Sequence, residues 1–121
     1  MIFSSKNEAG VPAWELVLQG EKTITRRGKF LSPLTQFAVQ PGRGKKAVCR
    51  AQVVSCMPHR EFNHIVSGQS RTDLKLLERL LEDEARMEGF ASWRGLLGWL
   101  ESKHIKIGDT YRIEFAVVLL K

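Results

Sequence analysis

The spacing of apolar residues at the start of the chain predicts a short helix. Trp14, Val17 and Leu18 follow i, i+3, i+4 spacing, so residues 11–19 are expected to form a helix with these three side chains as its buried stripe. Gly20 follows directly and is placed to end the helix in the left-handed conformation that glycine adopts without steric cost. The sequence therefore predicts a sharp change of direction at this glycine.

The longest helical pattern lies in the second half of the chain. Residues 73–87 carry apolar side chains on one side, with Ser70 or Thr72 as the predicted N-cap and Gly89 as the stop. That apolar side consists of Leu74, Leu77, Leu80, Leu81 and Ala85. The other predicted helices span residues 60–66 and 93–103, the second capped by Ser92 and packed through Trp93, Leu96, Leu97 and Leu100.

The remaining periodic segments predict strands. Residues 47–56 alternate, with Cys49, Ala51 and Val53 among the small apolar side chains on one face, and Pro58 is expected to end the strand. Small inward residues suit a tightly curved sheet or barrel. Further strands are predicted at residues 23–26, 37–39 and 111–120, the last one central because it is nearly continuously apolar. The order of elements indicates an α+β domain with helices flanking a curved sheet.

Composition narrows the class of protein. The 121 residues suit a single domain, residues 1–121, and no apolar run reaches the roughly 18 residues that would cross a bilayer. The first twenty residues show no secretory signal, so a cytoplasmic protein is expected. Cys49 and Cys56 are predicted to share one strand on opposite faces, too far apart for a disulfide.

Positive charge is concentrated in the central third of the chain. The net charge is +6, and residues 22–60 hold nine Lys and Arg with no Asp or Glu. Such polarity indicates an anionic partner, most often a nucleic acid, although a basic surface that only aids solubility is the alternative. The basic turn, residues 40–46, has the wrong glycine spacing for a Walker A loop. Its cations could contact phosphates, and a plain hairpin loop explains them equally well.

Two candidate chemical groups, Lys22 and Thr25, lie in the segment that follows Gly20. A threonine hydroxyl becomes a nucleophile only when a base takes its proton, and a lysine can be that base if burial or neighbouring cations lower its pKa. Strand alternation puts the two side chains on opposite faces, so Lys22 has to lie in the turn before the regular strand. The alternative is a surface strand in which threonine and charge alternate.

A third candidate, Glu88, lies at the end of the long helix. A carboxylate there opposes the helix dipole, so it indicates a compensating partner, for which Lys22 qualifies. A carboxyl with a raised pKa could also protonate a leaving amine, and an exposed glutamate is the alternative. Metal binding is not predicted, because His59, His64 and His104 show no zinc spacing with the cysteines. His59 and His64 are expected at the surface.

Taken together, these motifs resemble a known family. Gly20-x-Lys22-Thr23-x-Thr25-x-Arg27 after a Trp-containing helix, Glu88-Gly89-Phe90 after a long helix, and Gly108-Asp109 before the last strand resemble the ASCH domain of the PUA-like superfamily. The resemblance covers nearly the whole chain. It implies a small PUA-like β-barrel with flanking helices and a cleft for RNA or nucleotides between them.

One ASCH subgroup is similar in more detail, namely the amidohydrolases that remove the acetyl group from N4-acetylcytidine. Their lysine, threonine and glutamate correspond to Lys22, Thr25 and Glu88. The resemblance implies that the threonine attacks the acyl carbon, the lysine takes its proton and the glutamate assists the leaving amine, with no metal or other cofactor. The chain departs from this subgroup in its longer basic insert, residues 43–46, and in its Glu-Gly-Phe sequence, which leave room for an RNA ligand.

Two functions are therefore predicted, an amidohydrolase acting on acylated cytidine and a non-catalytic RNA-binding module, with a ribonuclease as a third alternative. The partner in each case is RNA or a modified nucleoside, and no membrane is involved. The second function would use cations along the backbone and aromatic side chains for base stacking. Besides Lys22, these nucleic-acid-binding residues would be Arg26, Arg27, Lys29, Arg43, Lys45, Lys46, Phe90 and Trp93.

Overall fold

The computed structural model describes residues 1–120. In this part of the chain, the helices are α1 (Ala13–Leu18), α2 (His59–Gln69), α3 (Leu74–Met87) and α4 (Trp93–Ser102). The strands are β1 (Ile24–Arg27), β2 (Gln36–Val39), β3 (Cys49–Pro58) and β4 (Tyr111–Leu120), and a 3₁₀ turn at Ile107–Asp109 precedes the last of them. None of the helices within residues 1–120 combines the length and the apolar character that a membrane crossing requires.

The four strands form one antiparallel sheet in the order β1-β4-β3-β2. Strand β4 is central, as its apolar run predicted. The register between β3 and β4 shifts at Arg50/Ala51 and again at Val53/Ser55, and such shifts bend a strand and increase its twist. The sheet curls into half a barrel, so the predicted α+β class with a curved sheet is confirmed.

Strand β3 alternates as predicted. Cys49, Ala51 and Val53 are fully buried, and the first two belong to a core cluster with Phe3 and Phe115. Small side chains on this face leave room for the aromatic rings that fill the concave side of the sheet. Both cysteines are free thiols, as the strand geometry predicted.

The turn after α1 is confirmed, but the predicted buried stripe of this helix is partly wrong. Gly20 has a φ of +77°, the left-handed conformation expected of it. Leu18 is 38% exposed, whereas Leu16 is buried. The chain reverses immediately after the helix, and the amides of Glu21 and Lys22 both donate to the Leu16 carbonyl, 3.0 Å away. This reversal places the Leu16 side of the helix inside and leaves Leu18 outside.

The ends of α3 differ from the prediction at one terminus only. Asp73, rather than Ser70 or Thr72, caps the helix by accepting from the Leu76 amide at 3.1 Å. The Ser70 hydroxyl donates instead to the Val66 carbonyl at the end of α2, which removes it as a cap. Leu74, the first helical residue, is 77% exposed and not part of the apolar stripe. At the other end, Gly89 has a φ of +91° and stops the helix as predicted, and the Ser92 cap of α4 is also confirmed.

Candidate functional site

A cavity of about 480 Å³ lies where the start of β1 meets the end of α3. Its volume is within the range of about 300–1,000 Å³ that is typical of small-molecule sites. Lys22, Thr25 and Glu88 all line it, although they are far apart in the sequence. The rest of the lining includes the N-terminal segment at residues 2–7, an apolar wall from Phe90, Leu96, Trp99, Leu100 and Ile105, and polar side chains from Arg26, Arg27, His104, Lys106, Asp109 and Thr110.

Two backbone carbonyls hold the amine of Lys22 in place. This residue precedes β1, in the turn after Gly20, as the alternation of the strand required. Its Nζ donates to the carbonyl of Ile24 at 2.8 Å and to that of Glu88 at 2.7 Å. A neutral amine has two N–H groups, so both can satisfy these carbonyls while the lone pair stays available to accept a proton. The geometry thus accommodates lysine as a base.

Gly89 lets the stem of Lys22 pass close to the end of α3. A Cβ at this position would lie 3.0 Å from Leu16 Cδ1 and 3.6 Å from Lys22 Cδ. A side chain here would therefore press on both α1 and the lysine stem, in addition to the strain of the positive φ. The glycine ends the helix and also makes room for the amine.

The surroundings of Lys22 favour its neutral form. Burial lowers its pKa from the ordinary 10.5 to about 8, and the guanidinium groups of Arg27 and Arg26 act in the same direction. The carboxylate of Glu88 opposes them and keeps the pKa from falling further. A substantial fraction of the amine is consequently neutral at mildly alkaline pH, which general-base chemistry requires.

Thr25 is buried in β1, where it pairs with Ile113 of β4. Its hydroxyl oxygen accepts a hydrogen bond from Nε of Arg27 at 3.3 Å, so its own proton remains free for another acceptor. Within residues 1–120, no hydrogen bond joins this hydroxyl to the amine of Lys22. The two groups share the cavity, and passing a proton between them requires rotation of the threonine side chain or a bridging water molecule.

The predicted partner of the Glu88 carboxylate, Lys22, contributes charge but does not form its ion pair. Glu88 is the C-cap residue of α3, where a negative charge opposes the helix dipole, as the sequence indicated. Its compensating cation is Arg26, whose Nε donates to Oε2 at 2.9 Å, while Lys22 binds only the backbone carbonyl of the glutamate. Burial raises the pKa of Glu88, and the charges of Arg26 and Lys22 partly offset this effect.

The Glu88 carboxylate is connected through Arg26 to a buried ionic network that also contains Glu84 and Arg112. Arg26 and Arg112 lie directly opposite each other on β1 and β4, a pairing of like charges that is unfavourable by itself. Glu84 resolves the repulsion by binding both: its Oε2 accepts from NH2 of Arg26 at 2.9 Å and from Nε of Arg112 at 2.6 Å. The remaining nitrogen of Arg26 lies 2.9 Å from Nδ1 of His59, which is half-buried rather than at the surface as predicted.

The predicted nucleic-acid-binding residues separate into three groups. Arg27 and Phe90 line the cavity. Arg26 lines it too, but its guanidinium is enclosed by the ionic network and by the Phe62 ring at 5.2 Å, and Trp93 packs in the core around α4. These two residues therefore do not form the open basic and aromatic surface that was predicted for them. The third group is exposed and lies outside the cavity lining: Lys29, Arg43, Lys45 and Lys46.

Sequence analysis missed one part of this site that carried a detectable signal. Glu84 lies four residues after Leu80 and four before Glu88, so it falls on the inward side of α3. A carboxylate inside an apolar stripe indicates a buried cation partner. The N-terminal wall of the cavity and the lining residue Asp109 carried no comparable signal, because only tertiary structure brings them to the cleft.

The chain matches no known family model and no curated protein at a significant level. It is similar in structure to protein EF3133 from Enterococcus faecalis V583, described as family-model DUF984. The similarity has a TM-score of 0.45 with 12% identical residues, and it covers 89% of this chain and 71% of that protein. At this level, the likeness transfers no function to the chain.

Proposed function

We propose that this protein is an ASCH-type amidohydrolase that removes an acyl group from the exocyclic amine of a nucleobase of the N4-acetylcytidine kind. The observation that carries the proposal is the Lys22 amine, which is buried, held by two carbonyls and placed in one cavity with Thr25 and Glu88. A base, a hydroxyl and a carboxyl on one small-molecule cleft form a set that acyl transfer can use. The cleft, with its apolar wall, suits a nucleoside better than a folded RNA.

In the proposed reaction, Thr25 forms a bond to the acyl carbon while its proton passes to the lone pair of Lys22. The tetrahedral adduct then breaks its C–N bond, and the leaving amine takes a proton. Glu88 is suited to donate that proton, because burial raises its pKa. Water next attacks the acyl-threonine and gives a proton to Glu88, and when the second adduct collapses, the proton on Lys22 returns to the Thr25 oxygen and the carboxylic acid is released. The hydrogen bond from Nε of Arg26 to Oε2 orients the Glu88 carboxyl during these steps.

An assay of the purified protein with N4-acetylcytidine tests the proposal. We expect release of cytidine and acetate, and a fall of about 10³-fold or more in kcat for Thr25→Val, because the variant keeps the shape of the side chain and lacks the nucleophile. Thr23→Val is the matched control, since that hydroxyl lies just before β1 and outside the cavity lining. Full activity of Thr25→Val, or none in the wild type, would refute the proposal.

A second candidate function, RNA binding, is favoured by the basic turn alone. Arg43, Lys45 and Lys46 are exposed, and within residues 1–120 none of them lies within ion-pair distance of a carboxylate. Cations that are free in this way can neutralise phosphates and release counterions. The two functions are compatible, because an acylated base within RNA would place its backbone outside the cavity. A ribonuclease activity has no such supporting observation among the described residues.

A further inference from the structure

The guanidinium of Arg27 has an unusual set of partners. Its Nε donates to the Thr25 hydroxyl at 3.3 Å, and its NH2 donates to the carbonyl of Ile2 at 2.7 Å. The guanidinium carbon lies 5.0 Å from the centre of the Phe3 ring. Within residues 1–120, no carboxylate lies within ion-pair distance of it. Arg27 is thus fixed in position by neutral groups, and its charge is not neutralised.

The third nitrogen of Arg27 is unoccupied. No hydrogen bond involves NH1 in the part of the chain that the structure describes, and no fully buried side-chain nitrogen or oxygen there lacks a partner. NH1 therefore reaches open space, and Arg27 lines the cavity. Its neighbour Arg26 differs in every respect, because all three of its nitrogens are bound within the protein. One of the two adjacent arginines is left with donors for a ligand.

We infer that Arg27 is a catalytic residue whose guanidinium binds the oxyanion formed when Thr25 attacks an acyl carbon, an inference that rests on the proposed function. Attack by the threonine oxygen moves the carbonyl π electrons onto the carbonyl oxygen, which becomes negative. Nε lies 3.3 Å from the Thr25 oxygen that attacks, and the oxyanion forms on the carbon that becomes bonded to this oxygen, so it forms within reach of the Nε edge of the guanidinium. A charged donor fixed in advance at that position stabilises the transition state more than the substrate.

The step is complete in atoms and charge. The proton of Thr25 passes to Lys22, the new C–O bond forms, and the negative charge resides on the former carbonyl oxygen beside the guanidinium. When the C–N bond breaks, the carbonyl re-forms and the amine leaves with the proton of the Glu88 carboxyl. The same site then serves the second half of the reaction, in which water attacks the acyl-threonine and the oxyanion forms again. Burial lowers the pKa of Arg27, but an arginine pKa starts so far above neutral that the guanidinium stays protonated throughout.

Steady-state kinetics on N4-acetylcytidine with Arg27→Ala and Arg27→Lys test this role. We expect kcat to fall about 10²–10³-fold in Arg27→Ala with KM changed much less, because the oxyanion exists only after attack. Added guanidinium ion should restore part of the lost rate in a saturable manner, whereas the uncharged analogue urea should not. Arg27→Lys retains the charge without the forked geometry, so its kcat should lie between those of the wild type and Arg27→Ala. Arg50→Ala, on β3 and outside the cavity lining, is the control for loss of a strand arginine.

The outcomes separate this inference from the proposed function. If the wild type releases no cytidine, both fail. If the wild type is active and Arg27→Ala keeps kcat within threefold, only the oxyanion role is overturned. A variant that loses activity in proportion to its loss of folded protein, and that guanidinium does not rescue, shows that Arg27 only anchors the N-terminal segment through Ile2; this result also overturns the role.

Discussion

The cations of the cavity and those of the basic turn come from the same stretch of the chain but have opposite environments. Both sets of cations belong to the stretch of residues 22–60, which carries nine Lys and Arg and no Asp or Glu. In the cavity, Lys22 and Arg26 are buried and bound by groups of α3, which lies some sixty residues away in sequence. In the turn, Arg43, Lys45 and Lys46 are exposed. A basic stretch of sequence therefore does not show which of its cations are exposed. That depends on which groups, distant in sequence, pack against each cation in the folded protein.

The largest effect on stability is expected from the buried cation Arg26 beside the cavity. Arg26→Met leaves Glu84 and Glu88 buried without one of their cations, and we expect a loss of about 3–5 kcal/mol in the free energy of unfolding. Arg86→Met is the matched control, because its pair with Asp83 is solvent-exposed and should contribute about 0–1 kcal/mol. Urea denaturation monitored by circular dichroism measures both. Equal losses in the two variants would mean that the interior network contributes no more than a surface ion pair.

An intermediate effect is expected in the pH dependence of stability. Between pH 8 and 10.5, Lys22 binds a proton in the unfolded chain and not in the folded one, so the free energy of unfolding should rise with pH across this window. A shift of this size corresponds to about 3 kcal/mol. Below pH 8, both states are protonated and this slope vanishes. Thermal denaturation of the wild type and Lys22→Met at matched pH values measures the difference, and parallel curves from pH 8 to 10.5 would contradict the burial of the amine.

The smallest effect on stability is expected in the basic turn. Replacing Arg43, Lys45 and Lys46 together by glutamine should change the free energy of unfolding by about 0.5 kcal/mol or less, because these side chains are exposed. The same variant should bind RNA more weakly. The slope of the logarithm of the RNA association constant against the logarithm of the salt concentration should become shallower by up to about one for each phosphate that the turn neutralises. Titration of labelled single-stranded RNA at several salt concentrations measures this. A matched triple variant at Lys75, Arg79 and Lys103 controls for net charge; equal weakening there would exclude the turn as a specific RNA-binding surface.

The local features of the fold could be predicted because single residues determine them. Gly20 and Gly89 have the positive φ values that their positions after helical patterns indicated. The alternation of small residues in β3 identified its buried face, because neighbouring side chains of a strand point to opposite sides. Leu18 and Leu74 were misplaced, because the turn after α1 and the Asp73 cap of α3 decide which side of each helix faces inward.

The site was only partly predictable for a related reason. Thr25 and Glu88, which line the cleft with Lys22, could be named from the motifs, but the ionic partner of each charged group could not. Arg26 was predicted to face a ligand, and it instead binds Glu84, whose inward position depends on how α3 lies against β1 and β4. Which carboxylate meets which cation is a property of the packed helices, and no short motif contains it.

The basic turn lies in the sequence between the two groups of residues that form the proposed site. It connects β2 to β3 at the surface, so β1 precedes it in the chain and α3 follows it. A nick between Gly42 and Lys46 would leave the amine, the hydroxyl and the guanidinium on one fragment and the carboxyl on the other. The cleft would then exist only while the two fragments are associated, which makes this protein a natural candidate for a split reporter.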